Sequence, residues 1–110
     1  MYEIESLEDL DNFIIKNNKI ILLYFGAVWC GPCKVLKQKL SEEETLEQMP
    51  ELTVCYIDTD KNSEITEMYS ITSLPTQIFI KLVNDNVKEL SRIVGYDYTK
   101  LLMEYNHHHN

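Results

Sequence analysis

Hydrophobic positions in this chain follow two periods, and the switch between them marks the elements. Leu7, Leu10 and Ile14 recur at spacings of three and four, the pattern of one helix face. Ser6 precedes them. Its hydroxyl can accept from the N–H groups left free in a first turn, and Asp9, three residues on, completes a capping-box pattern. Asn17 and Asn18 end this helix. "KIILLYFGA" follows as an apolar run without alternation, which suits a strand buried on both faces. From Pro32 to about Met49 the helical period returns, with Cys33, Leu36 and Leu40 on one stripe. A proline is tolerated in a first turn because its missing N–H would be unpaired there anyway. In "SEEE" at 41–44 a serine precedes a glutamate by three residues, so a kink and a fresh N-cap are expected near Ser41.

"ELTVCYIDTD" reads as the next strand, and residues 62–69 as a short helix. "TQIFIKLV" and "VKELSRIV" are two strands around "NDN", a tight-hairpin signal, and Gly95 breaks the second. Tyr98, Leu101, Leu102 and Tyr105 give a last amphipathic helix. A short strand is expected at Tyr2 to Ile4. Strands alternating with helices imply parallel pairing through crossovers, while the terminal hairpin must be antiparallel. The expected class is α/β, with one mixed sheet of four to five strands flanked by helices on both faces. At 110 residues there is room for one small domain, placed at 1–106, with the histidine-rich 107–110 as a flexible tail.

Charge narrows the partners. The net charge of −8 and pI near 4.7 disfavour nucleic acid and anionic membrane surfaces. The longest apolar run, Ile20 to Phe25, is too short to span a bilayer. The first residues are acidic where a secretory leader needs a basic region, so a reducing, cytoplasmic compartment is expected. The three cysteines, Cys30, Cys33 and Cys55, do not form a secreted disulfide framework.

The candidate chemistry lies in "AVWCGPCKVL", residues 27–36. Two cysteines at this spacing can hold a metal, lock a loop or move electrons. A zinc site needs four ligands, and only Cys55 or His107–His109 remain to complete one; no metal or other cofactor is expected. Closing so short a loop removes little entropy from the unfolded chain, which argues against a purely structural disulfide. Redox chemistry suits the position. Cys30 falls where a buried strand gives way to a helix, and the unpaired N–H groups and dipole of that helix end favour a thiolate. Cys33 lies one turn further in, on the apolar stripe. Trp29 is expected to stand exposed beside the pair. Cys55 is expected to be a small buried hydrophobe. Asp58, Asp60 and the acidic run at 42–44 are expected to be solvated.

The hexapeptide "WCGPCK" (29–34) closely resembles the active-site motif of the thioredoxin family, and CxxC beside a βαβ pattern is an established reading of that kind. "FGAVWC", "LTV" with "IDTD", "SLPT" at 73–76 and "VGY" at 94–96 extend the resemblance over most of the chain. It implies the thioredoxin fold and a thiol–disulfide oxidoreductase that reduces protein disulfides. Cys30 would be the nucleophile, Cys33 the resolving thiol, and Cys30–Cys33 the redox disulfide. Trp29, Gly31, Pro32, Leu74, a cis Pro75 and Gly95 would bind the substrate chain. The implied partners are disulfide-containing proteins and a thioredoxin reductase or other dithiol reductant, with the protein itself a monomer. The alternative is an accessory module that only holds a partner polypeptide near Trp29 and Pro75.

The sequence departs from the family pattern behind the motif. The family's buried aspartate, six residues before the first cysteine, corresponds to Tyr24, and the lysine that often partners it corresponds to Tyr56. A phenol, with a pKa of about 10, is no base at neutral pH. The two changes belong together, because a lone buried lysine would be costly. Gln38 stands where the family carries a kinking proline. The expectation is that Cys33 resolves slowly, or releases its proton through water. Tyr24→Asp should therefore raise the single-turnover rate of disulfide reduction around neutral pH; a rate unchanged from the parent would refute this.

Overall fold

The computed structural model describes residues 1–109. Ser6 caps α1 (Leu7–Lys16), its Oγ accepting from the Asp9 N–H at 3.1 Å. The reciprocal bond reaches one residue further back than in a standard capping box: the Asp9 carboxylate accepts from the Glu5 N–H at 2.9 Å and from the Tyr2 hydroxyl at 2.7 Å. β1 (Tyr2–Glu3) thereby leads into α1.

β2 (Ile21–Gly26) is buried at every position, as its unbroken apolar run requires. It pairs in parallel with β3 (Val54–Asp58) and antiparallel with β4 (Thr76–Val83). β4 turns through Asn84 and Asp85, both at positive φ, into β5 (Asn86–Val94). Two such residues give a turn whose twist matches that of the flanking strands. The full sheet order is β1-β3-β2-β4-β5.

Two cores lie on opposite faces of this sheet. Ile21, Leu23 and Phe25 of β2 join Leu10 and Ile14 of α1 and Ile65 of α4 (Ser63–Met68). Leu22 and Tyr24 point the other way. They pack with Leu36 and Leu40 of α2 (Gly31–Leu40) and with Leu101 and Tyr105 of α5 (Tyr98–His109). This is strand alternation serving two helical layers.

Three details differ from the sequence expectation. The second helix does break where Ser41 stands, but Ser41 closes α2 instead of opening the next helix. Its hydroxyl donates to the Lys37 carbonyl at 2.9 Å, and Glu42 becomes the N-cap of α3 (Glu43–Gln48) without a side-chain cap bond. Of the expected flexible tail at 107–110, residues 107–109 continue α5, and residue 110 lies outside the described residues. The His109 ring stacks on Tyr105 with centroids 4.0 Å apart, and its Nδ1 lies 2.8 Å from the Tyr105 carbonyl oxygen. Asp58, expected at the surface, is 3% exposed. It ends β3 where the chain folds back toward α4; its Oδ1 accepts from the Asp60 N–H, and its backbone carbonyl accepts from the Asn62 side-chain amide.

Cys55 is buried among apolar residues on the α1 face, as expected, and burial pushes its thiol up to about 12. In the unfolded chain a cysteine ionises at about pH 8.5. The unfolded state therefore gains from ionisation first, so the stability that buried Cys55 contributes is complete below about pH 8.5 and declines as pH rises from there. Four tyrosines with raised pKa values, Tyr2, Tyr24, Tyr56 and Tyr69, add to the decline only above about pH 10. In the oxidised protein Cys55→Ala should flatten the curve of urea midpoint against pH between about 8.5 and 10. An unchanged slope in that window would show that Cys55 does not carry it.

Candidate active site

Cys30 is the N-cap residue of α2, held extended at φ −85° and ψ 113°. Its Sγ accepts from the Cys33 N–H at 3.2 Å, so one of the free donors of the helix end is aimed at the sulfur. Pro32 follows in the first turn, where a missing N–H costs nothing. Cys30 and Cys33 are disulfide-bonded, with Cα atoms 5.2 Å apart. Both are buried, in a small cluster with Ala27 and Leu74.

The two sulfur-bearing residues are reached from different clefts. The front cleft, about 470 Å³, is lined by Trp29, Cys30, Gly31, Pro32 and Leu74, with Thr72 and Ser73 beside them. The rear cleft, about 210 Å³, is lined by Cys33 together with Tyr24, Tyr56, Lys34 and Lys37. The pair is therefore open to two separate solvent-facing spaces.

Four of the six residues expected to bind substrate, Trp29, Gly31, Pro32 and Leu74, gather at the front cleft. Trp29 is 67% exposed, and its indole N–H donates to the Asp60 carboxylate at 2.8 Å. Asp60, taken from sequence as simply solvated, thus orients the tryptophan. The Leu74–Pro75 peptide is cis. Pro75 itself is buried, and Gly95 donates its N–H to the Pro75 carbonyl at 2.7 Å from a backbone at φ +88°. The residues lining the front cleft stop at Leu74, and the Gly95–Pro75 hydrogen bond ties β5 to the loop that follows them. Thr72 was missed in the sequence, where its only signal was proximity to Leu74; Ser73 stood in the quoted "SLPT" but was not named as a site residue.

Behind the pair, Tyr24 is fully buried, and its hydroxyl donates to the Cys33 backbone carbonyl. Tyr56 meets it edge-on, with ring centroids 5.0 Å apart. Burial first, and then the neighbouring Tyr56, hold the Tyr24 phenol well above its usual range; burial likewise raises Tyr56, with Asp58 adding to it. Neither phenol is a base at neutral pH, as the sequence suggested. The residues proposed to complete a metal site are dispersed: Cys55 belongs to the opposite core, and His107–His109 end α5. Among the described residues no group of three His, Cys, Asp or Glu side chains is placed to hold a metal ion.

A redox-active cysteine pair at the N-terminus of a helix, on a mixed sheet covered on both faces, defines a thiol–disulfide oxidoreductase of the thioredoxin fold. The Thioredoxin family model matches residues 2–105, and the chain belongs to the thioredoxin family. It is 38% identical to Thioredoxin-T of Drosophila melanogaster over 107 residues, which cover 94% of this chain and 65% of that protein. It is also 38% identical to a thioredoxin of Chlamydia pneumoniae over 95 residues, covering 86% and 85% of the two chains. The structure of Fasciola hepatica thioredoxin superimposes with a TM-score of 0.84 at 35% identity, covering 98% of this chain and 99% of that one.

Gly26 lets the two tyrosines close on the cysteines. A methyl group there would stand 3.1 Å from Tyr56 Cε1, 3.2 Å from Tyr24 Cε1 and 3.4 Å from Cys33 Cβ. Overfilling such a site costs typically about 1–3 kcal/mol. Gly26→Ala should lower the urea midpoint of the oxidised protein accordingly; a midpoint equal to the parent's would mean that the rings yield freely.

Proposed function

We propose that this protein reduces disulfides in polypeptide substrates, with Cys30 as nucleophile and Cys33 as resolving thiol. The observation that carries the assignment is the placement of Cys30 at the N-cap of α2, lining the front cleft, with Cys33 one turn behind it. In the reduced protein the Cys30 thiolate, favoured by the helix N–H groups, attacks one sulfur of a substrate disulfide. The other substrate sulfur leaves as a thiolate. A mixed disulfide then joins Cys30 to the substrate until Cys33 displaces it, which regenerates the Cys30–Cys33 disulfide.

The front cleft is shallow and presents Trp29 as an apolar platform beside the sulfur. The loop 72–74 lies along the same cleft. Those features suit an extended peptide segment more than a small ligand, because backbone pairing gives affinity without demanding a particular side chain. Return to the dithiol falls to a thioredoxin reductase or another dithiol reductant. The protein acts as a monomer in a reducing, cytoplasmic setting. A module that merely held a partner in this cleft would have no use for Cys33, so the dithiol itself favours turnover.

Insulin reduction driven by dithiothreitol tests the proposal. The parent should precipitate insulin chains well above the uncatalysed rate, Cys30→Ser should abolish the gain, and Cys33→Ser should accumulate a covalent complex with insulin. A parent no faster than dithiothreitol alone would overturn the catalytic reading.

A further inference from the structure

Resolution requires Cys33 to lose a proton, and nothing in its surroundings is built to accept one. The groups facing it are Tyr24 and Tyr56 from the sheet and Lys34 and Lys37 from its own helix. The Tyr24 hydroxyl is committed as a donor to the Cys33 carbonyl. The nearest carboxylate along β3 is Asp58, which does not line the rear cleft and whose Oδ1 is engaged by the Asp60 N–H. What the cleft does hold is positive charge. Lys37 lies four residues after Cys33 on α2, hence on the same helix face. Its Nζ rests 4.9 Å from the centroid of the Tyr56 ring, which anchors the ammonium at the cleft. Among the described residues, neither Lys34 nor Lys37 is paired with a carboxylate, in a chain whose net charge is −8. The volume, about 210 Å³, has room for several waters at about 30 Å³ each.

We propose that Lys37 is the electrostatic positioning residue for resolution: seated on the Tyr56 ring, it favours the Cys33 thiolate while the proton leaves to water in the rear cleft. The inference rests on Cys33 being the resolving thiol. The Cys33 thiol gives its proton to water, and its sulfur attacks Cys30 Sγ. The Cys30–Cys33 bond forms as the Cys30–substrate bond breaks, and the substrate sulfur departs with that electron pair and is protonated from solvent. Two electrons thus pass from the dithiol to the substrate disulfide, with no further oxidant or reductant. The arrangement reverses the usual logic of a base drawing a proton off: a fixed cation stabilises the product of ionisation instead. It also gives Tyr56 a use, as a platform that a lysine at that position could not provide.

The test needs no turnover, so its outcome is separate from that of the insulin assay. In a Cys30→Ser background, alkylation of Cys33 by iodoacetamide is followed against pH, with the modified residue confirmed by peptide mass; Cys55 is buried and its thiol is pushed up to about 12. Adding Lys37→Met should slow alkylation at neutral pH about three- to tenfold and move the midpoint of the profile upward by roughly half to one unit, and Lys37→Arg should restore it. An unmoved profile in Lys37→Met, failure of arginine to restore it, or an equal shift from Lys34→Met would each overturn the assignment. Lys37 is exposed on α2, so folding is not at stake.

Discussion

Strand β2 is buried on both faces and hydrogen-bonded on both edges, and that placement fixes where its last residues can go. Because β3 and β4 clamp it along its length, the chain leaves β2 at Gly26 with no freedom of direction, passes Ala27 to Trp29, and enters α2 at Cys30. Alternate β2 side chains feed the two cores, so neither helical layer can shift without disturbing the other. The N-cap position of Cys30, and with it the sulfur's access to helix N–H groups, follows from this one strand.

The site has two sides that do different work. The front, with Trp29 and the loop ending in Leu74, is open and shaped for a chain. Asp60 holds the tryptophan by its indole N–H. The rear is narrow, aromatic and cationic. There Tyr24 and Tyr56 meet edge to face at the positions where the family pattern has an aspartate and a lysine, and Tyr24 is tied to the Cys33 backbone instead of to its sulfur. Replacing a buried charge pair with well-packed rings avoids a desolvation cost. It also removes a proton acceptor, in a cleft lined by Lys34 and Lys37.

Most of the frame was legible because it rests on local rules. Ser6 signals its own helix start, the Asn84-Asp85 turn needs residues that tolerate positive φ, and an unbroken apolar run can be buried on both faces. The misreadings came from non-local contacts. Asp58 looks like any acidic residue near a turn, and only the fold-back toward α4 buries it and supplies its partners. The histidines after Asn106 look like a loose tail. Their order comes from Tyr105, onto whose ring His109 closes one turn later. Ser41 carries the letters of an N-cap, yet the turn is used to close one helix and not to open the next.

By itself the sequence determined the α/β class, a mixed sheet ending in an antiparallel hairpin, the cysteine pair at a helix start and the absence of a carboxylate six residues before it. Each of these is written in spacing, in residue type, or in a motif whose chemistry is carried by adjacent residues. The strand order and the antiparallel β2–β4 pairing came from the fold. Only the tertiary structure decided that Cys30 and Cys33 open onto different clefts, that Gly95 is hydrogen-bonded to Pro75, and that Lys37 meets Tyr56 beside Cys33. Those facts depend on how α2 lies across β2 and β3. That placement is fixed by the packing of Leu36 and Leu40 against Leu22, Tyr24 and Phe79, residues far from them in sequence, and no local pattern encodes it.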